Sequence, residues 1–215
     1  MASLVKARGT PALLALEIAA RRRKRTRLAL PTLLLIAALT SCAPASRTRV
    51  TFHDPNMDFS LVQSVAVVPF SNLTPTTNAA ERVRDVVMTM LQATGSVYVI
   101  PPGEVARGIS RASIADPKSP TPEEAVALAK LLKADAVIAG TVREYGEVRS
   151  GTTAANVISL SLTMMEGQTG KIVWNASSTK GGVGASDRLF GGGGKPMNAV
   201  TEEAVDDLLE KLFKK

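Results

Sequence analysis

The feature that most constrains the fold of this chain is a short apolar run, Val65-Ala66-Val67-Val68-Pro69-Phe70. The run is apolar at every position rather than at alternate ones, and three of its residues are β-branched valines. Such a run is typical of a strand that is buried on both faces, at the centre of a sheet covered by helices. The run therefore predicts an α/β protein organised around this strand.

The residues after this strand predict a β-α-β unit. Five apolar side chains recur at helical spacing over about residues 78–93: Val83, Val86, Val87, Met90 and Leu91. A second apolar strand, Val97–Ile100, follows Gly95 and cannot continue through Pro101. Because crossover connections are right-handed and join parallel strands, we expect these two strands to be parallel.

The second half of the chain predicts a helix, an antiparallel meander and a closing helix. Thr121, Pro122 and Glu124 have the spacing of a capping box at a helix start. Three strands follow, at 134–145, 158–164 and 172–176, and a helix runs from Pro196 to the end. A short edge strand is expected at 48–52. The fold class is α/β (α+β), a single domain with a mixed sheet of about five strands and helices packed on it.

The amino-terminal region has the layout of a secretory signal. A basic run, Arg21–Arg27, precedes about a dozen mostly apolar residues and then Thr40, Ser41 and the chain's only cysteine, Cys42. The apolar run is shorter than the roughly 20 residues that a membrane-spanning helix needs. A transmembrane anchor or a buried cysteine are the alternatives.

Leu39, Thr40, Ser41 and Cys42 resemble the lipobox of bacterial lipoproteins. In that family the signal peptidase cuts before the cysteine, whose sulfur receives a diacylglycerol and whose new amine receives a third acyl chain. The resemblance implies a signal peptide over 1–41, a lipidated tether over 42–60 and a periplasmic domain over 61–215. In such proteins an aspartate after the cysteine favours the inner membrane, so Ala43 implies the outer membrane. The long lead-in before the basic run reflects either a start site placed too far upstream or a functional extension.

Charge argues against a nucleic-acid partner. The chain has 26 basic and 19 acidic residues, but eight of the basic residues and one acidic residue precede Cys42. The mature chain would therefore carry 18 of each, with no net charge. Because the positive charge belongs to the export signal, binding to a polyanion loses its main support.

No catalytic constellation is visible in the sequence. A nucleophile needs a base within hydrogen-bond reach and a third group behind it. The only histidine, His53, lies in a polar turn near the tether, and we expect it to be solvent-exposed. We therefore predict no enzyme, no catalytic residue and no cofactor beyond the lipid on Cys42. A hydrolase that depends on His53 is the alternative.

Two other motifs also have plain explanations. Gly191–Lys195 lacks the spacing of a phosphate loop, because Pro196 stands where a hydroxyl is required. We expect mobile loops over 146–155 and 180–195. The acidic pairs Glu202–Glu203 and Asp206–Asp207 predict a solvated helix face rather than a metal site.

Three segments, in order, resemble the periplasmic domain of the curli-secretion channel lipoproteins, the CsgG-like family: Val65–Thr74, Ala134–Gly146, and Leu160–Leu162 with Thr169–Trp174. The related fold also occurs in the amino-terminal domain of TolB and in lipoprotein activators of penicillin-binding proteins. The resemblance covers roughly residues 62–213 and implies a role in assembly rather than catalysis. The chain departs from the curli channels because neither 146–155 nor 180–195 supplies a hairpin with the roughly 9–11 residues per strand that spanning requires.

The favoured function is an outer-membrane lipoprotein whose periplasmic domain binds envelope partners or copies of itself, without catalysis. Ser159, Ser161 and Thr163 form one face of an alternating strand, with hydroxyls and no charges. We hypothesise that a neighbouring subunit covers this face, as in a ring. The alternatives are that the closing helix covers it, or that the chain is a subunit of an oligomeric curli-type channel.

Overall fold

The computed structural model describes residues 51–184 and 194–213. In this part of the chain seven strands form one sheet: β1 (Thr51–His53), β2 (Ser64–Val67), β3 (Ser71–Asn72), β4 (Tyr98–Val99), β5 (Ala136–Ser150), β6 (Thr153–Glu166) and β7 (Ile172–Gly181). Four α-helices accompany them: α1 (Ala79–Ala93), α2 (Pro102–Arg111), α3 (Pro122–Leu132) and α4 (Met197–Phe213).

The sheet is mixed, as the sequence predicts. Its strand order is β1-β7-β6-β5-β2-β4, with β3 also paired to β5. β2 is parallel to both β4 and β5, which confirms the β-α-β unit. β5, β6 and β7 form the predicted antiparallel meander, and the edge strand β1 pairs antiparallel with β7. The predicted fold class is therefore confirmed, and of the seven strands only the two-residue β3 was not expected.

The predicted capping box starts α3. The Thr121 hydroxyl accepts from the Glu124 N–H at 3.2 Å, and the Glu124 carboxylate accepts from the Thr121 N–H at 2.8 Å. Pro122 is the first helical residue, where its missing N–H costs no hydrogen bond. Lys133 ends the helix with a left-handed backbone, φ 54°.

Helices cover the sheet on both faces near β2, and on one face near β7. Val65 and Val67 of β2 pack in a core with α1 and α4, whereas Ala66 and Val68 pack in a second core with α2 and α3. The uniformly apolar sequence of this strand follows from that double burial. The fully buried Trp174 belongs to the α1–α4 core, as its strand position predicts.

The expected mobile loop over 146–155 is instead the end of a long hairpin. β5 continues to Ser150 and β6 starts at Thr153, so only Gly151 and Thr152 form the turn. Gly151 has φ +63°, at a position where two-residue hairpin turns favour glycine. Glycine and charged residues gave this segment little strand character, but antiparallel pairing satisfies its backbone groups. The prediction for 180–195 lies largely outside the described residues, which omit 185–193.

Candidate functional site

The predicted hydroxyl face lies on the side of the sheet away from the closing helix. Ile158, Leu160 and Leu162 alternate with these hydroxyl residues along β6 and pack in the core that α4 completes. Because side chains alternate across a strand, Ser159, Ser161 and Thr163 point to the opposite side. All three are half-buried. The closing helix therefore does not cover this face.

Strand register extends this surface beyond the three residues that the sequence identifies. Ser161 stands opposite Thr141 on one side and Ser177 on the other, and Thr141 stands opposite Ser71. These four residues form one row of hydroxyls across β3, β5, β6 and β7. With strands about 4.8 Å apart, the row is about 14 Å long. We call it the hydroxyl row.

A second row runs beside it, with Ala139, Thr163, Asn175 and Phe52 in register. The Asn175 amide donates to the Thr163 hydroxyl at 2.7 Å, and Phe52 is 48% exposed. On the other side of the hydroxyl row, the Thr179 hydroxyl donates to Ser159 at 3.0 Å. Cross-strand bonds thus satisfy part of the polarity of this face, and neither the hydroxyl row nor the second row contains an ionisable side chain. Sequence reasoning missed the partners on β3, β5 and β7, because register alone reveals them.

His53 is not the exposed turn residue that the sequence predicts. It ends β1, is half-buried, and makes edge-on ring contacts with Phe59 and Trp174, at centroid distances of 5.5 and 6.5 Å. Its Nε2 is buried and has no hydrogen-bond partner among the described residues. The imidazole therefore contributes to packing of the edge strand.

The two acidic pairs of the last helix contain three exposed residues and one that is largely buried. Glu202, Glu203 and Asp206 are exposed, as predicted. Asp207, by contrast, is only 19% exposed and binds Lys211 at 2.6 Å and Lys180 at 3.4 Å. Lys211 also donates to the main-chain oxygen of Ser177 at 2.7 Å. This cluster joins α4 to β7, and the prediction of a fully solvated acidic face was wrong at Asp207.

Burial would raise the pKa of Asp207, but the hydrogen bond from Lys211 and the charges of Lys211 and Lys180 outweigh it. The pKa of Asp207 is therefore lowered from its ordinary value. The carboxylate stays ionised and holds the two lysines, which is a structural role.

Neither a metal-binding cluster nor a membrane-spanning helix is found within the described residues. Within 51–184 and 194–213, no group of three or more histidine, cysteine or acidic residues has a metal-binding arrangement. No helix in those ranges is long and apolar enough to cross a membrane. Leu39, Thr40, Ser41 and Cys42 lie outside the described residues, so lipidation remains a prediction.

Comparison with known proteins identifies a lipoprotein family. The family model described as "Putative lipoprotein GNA1162-like" matches residues 56–212. The solved lipoprotein GNA1162 from Neisseria meningitidis aligns with 18% identity and a TM-score of 0.51, covering 71% of this chain and 99% of that chain. No curated protein matches the sequence significantly.

Two further structures align with the chain. The PelC dodecamer from Paraburkholderia phytofirmans has 18% identity and a TM-score of 0.52, covering 76% of this chain and 97% of its own. At such identities the likeness shows a shared fold. The LpoB carboxyl-terminal domain from Salmonella enterica has 16% identity and aligns at a TM-score of only 0.42, over 55% of this chain and 82% of its own, which is too weak to establish even that.

Proposed function

The chain belongs to the GNA1162-like lipoprotein family, and from this membership we propose that it is a lipid-anchored, non-catalytic assembly module of the bacterial envelope. Cys42 carries the diacylglycerol and the N-linked acyl chain, and the folded domain faces the periplasm from the outer membrane. The lipobox resemblance of Leu39–Cys42 and the residue Ala43 after it support this anchor and its membrane.

The hydroxyl row is the proposed contact surface of the module. Its support is the combination of short side chains, no charge and no covering by α4. Short side chains allow close approach by a second protein surface. In the second row, beside the hydroxyl row, the bond from Asn175 to Thr163 already satisfies two polar groups, so that covering those two costs little.

We favour a second copy of the chain as the occupant of this surface. PelC, which shares the fold, forms a dodecamer, and this supports self-association. The resemblance to the curli channel lipoproteins remains a prediction, since the matched family is the GNA1162-like one.

Fractionation tests the anchor. Wild-type protein should reach the outer membrane with a mass that includes three acyl chains, whereas Cys42→Ala should remain uncleaved and unacylated. Ala43→Asp should be acylated normally but retained in the inner membrane. An unmodified Cys42 in wild-type protein would overturn the anchor.

Native mass of the detergent-solubilised lipoprotein tests the contact surface. Wild type should be oligomeric, and Ser161→Arg should be monomeric because it places a charge in the middle of the hydroxyl row. Gln92→Arg, at an exposed position on α1, is the matched control and should remain oligomeric. A Ser161→Arg protein of unchanged oligomeric mass contradicts the proposed surface.

A subunit of a secretion channel is the second candidate, favoured by the β5–β6 hairpin. Beyond Val142, however, β5 offers only eight residues, and these include Glu144, Glu147 and Arg149. A membrane-crossing strand needs about 9–11 residues. Conductance in planar bilayers discriminates, because a tethered module should give none.

A further inference from the structure

The β5–β6 hairpin extends past the rest of the meander. β7 ends at Gly181, opposite Val157, and the hairpin continues to the pair Ser150 and Thr153. The hairpin tip, residues 147–153, is therefore the far end of the longest strands in the described part of the chain.

The edge strand β1 is oriented toward this tip. β1 and β6 both run antiparallel to β7, so they run in the same direction. The first residue of β6, Thr153, is at the tip. Thr51, the first described residue of the chain, lies within the predicted tether of 42–60 but already belongs to β1, and it is consequently the end of β1 that faces the tip.

The length of chain from Cys42 to Thr51 matches the distance along the sheet from the level of Thr51 to the hairpin tip. Thr51 stands opposite Ala176, which stands opposite Leu162, so Thr51 and Leu162 lie at one level of the sheet. Nine residue steps separate Leu162 from Thr153, and nine separate Thr51 from Cys42. At about 3.3 Å per residue in a strand, and no more than about 3.6 Å in any extended chain, both distances are about 30 Å. The tether can therefore carry Cys42 only about as far as the hairpin tip.

From this match we propose that the hairpin tip rests in the headgroup layer of the bilayer that holds Cys42. The inference rests on the proposed acylation, because the lipid fixes Cys42 at the membrane surface. With β5 and β6 pointing toward the bilayer, any shortening of the tether from full extension brings the tip closer to the lipid. The proposed partner of the hairpin tip is thus a phospholipid surface. The reason is the short length of chain between the anchor and the fold.

The side chains of the tip suit such a surface. Val148 is 40% exposed at the end of β5, and Arg149, with 77% of its side chain exposed, pairs with Glu147 at 2.9 Å. A valine can enter the headgroup region, while the guanidinium can bind lipid phosphate and cover apolar surface with its stem. The tip requires no strongly anionic lipid, because Glu147 balances Arg149.

This docking would also orient the contact surface. With the strands running toward the bilayer, the hydroxyl row lies across them and faces sideways, parallel to the membrane plane. Contacts between neighbouring copies through this row then form within one layer above the lipid, as a membrane-bound ring requires.

An environment-sensitive fluorophore on Val148→Cys tests the docking. Acylation consumes the Cys42 thiol, so the introduced cysteine carries the only label. In acylated protein on phosphatidylethanolamine–phosphatidylglycerol vesicles, we expect a blue shift and quenching by brominated lipids. Gln168→Cys is the matched control, because it follows β6 at the opposite, exposed end and should show neither effect.

A lengthened tether supplies the second measurement. Inserting about twelve glycine and serine residues after Ala45 frees the domain from the surface, and the signal at position 148 should fall. An unchanged signal contradicts the length argument. A silent label at 148, on protein whose mass shows three acyl chains, overturns the docking but leaves the anchor intact. An unmodified Cys42 overturns both.

Discussion

The carboxylate of Asp135, the residue just before β5, accepts hydrogen bonds from Ser64, the first residue of the neighbouring strand β2. Its Oδ2 accepts from the Ser64 N–H at 2.8 Å and from the Ser64 hydroxyl at 2.9 Å, and it also accepts from the Gln63 N–H at 3.0 Å. In return, the Asp135 N–H donates to the Ser64 main-chain oxygen at 2.9 Å. One aspartate thus joins the first residues of β2 to those of β5.

Replacing Asp135 by alanine should lower the free energy of unfolding by about 1–2 kcal/mol, because three charge-assisted hydrogen bonds are lost at a partly solvated site. Urea denaturation provides the measurement. Asp206→Ala removes an exposed carboxylate from α4 and should change the stability little. Equal losses in the two variants would contradict the role of Asp135.

Arg84 of α1 takes the place of a missing strand partner for β2. Its Nη2 and Nε donate to the Val67 main-chain oxygen at 2.5 and 3.2 Å. β4 pairs with β2 only as far as Val99, and Ile100 donates to Val65. Burial lowers the pKa of Arg84, although the negative charge of Asp85 acts in the opposite direction.

Arg84→Met keeps the apolar stem but removes both hydrogen bonds to the Val67 main-chain oxygen. We therefore expect a loss of about 1–3 kcal/mol in unfolding free energy. Arg82→Met, at an exposed position of the same helix, serves as the control. If both variants unfold at the same urea concentration as wild type, the Val67 oxygen does not depend on Arg84.

The Asp207 cluster predicts a specific acid dependence. Because the folded-state pKa lies below the ordinary value of 3.8, the ionised carboxylate stabilises the fold fully at pH values above that value. This contribution is lost as the pH falls from about 4 through the lower folded-state pKa.

Stability measured between about pH 2.5 and pH 7 should therefore fall more steeply at the acid end in wild type than in Asp207→Asn. Asp206→Asn should follow the wild-type curve. Parallel curves for wild type and Asp207→Asn would show that the Lys211 and Lys180 contacts do not favour the ionised form.

Gly170 is required for two reasons, which a matched pair of variants separates. Its φ is +70°, and an added Cβ would clash with the Pro122 main-chain oxygen. Gly151 has a similar φ of +63° but nothing within 4 Å.

Gly151→Ala should cost about 1 kcal/mol, the left-handed backbone penalty alone. Gly170→Ala should cost clearly more, because the turn between β6 and β7 must also move away from α3. Thermal unfolding of both variants provides the comparison, and equal costs would show that the contact with Pro122 relaxes freely.

Much of the fold could be predicted because its signals are local. The double burial of Val65 and Val67 with Ala66 and Val68 follows from an unbroken apolar run, and the Thr121–Glu124 capping box follows from a three-residue spacing. The hydroxyls at Ser159, Ser161 and Thr163 follow from strict alternation. Each pattern depends on residues that are neighbours in the chain, whose geometry the backbone period sets directly.

The errors have a common physical origin in long-range contacts. His53 looked exposed because its neighbours in sequence are polar, yet β1 brings it against Trp174. Asp207 looked solvated until β7 supplied Lys180. The hairpin at 146–155 looked like a loop because its own propensity is weak, while pairing along β5 and β6 decides its structure.

The sequence by itself determined most of the element types, the sheet class and the residues that resemble a lipidation site. Only the tertiary structure decided that Ser71, Thr141, Ser161 and Ser177 form one row, that Phe70 packs on Gly140 where a Cβ would come within 2.8 Å, and that Asp135 reaches Ser64 across 71 residues. The reason is register: a strand's pattern fixes which side chains share its face, but the pairing of distant strands fixes what each side chain meets.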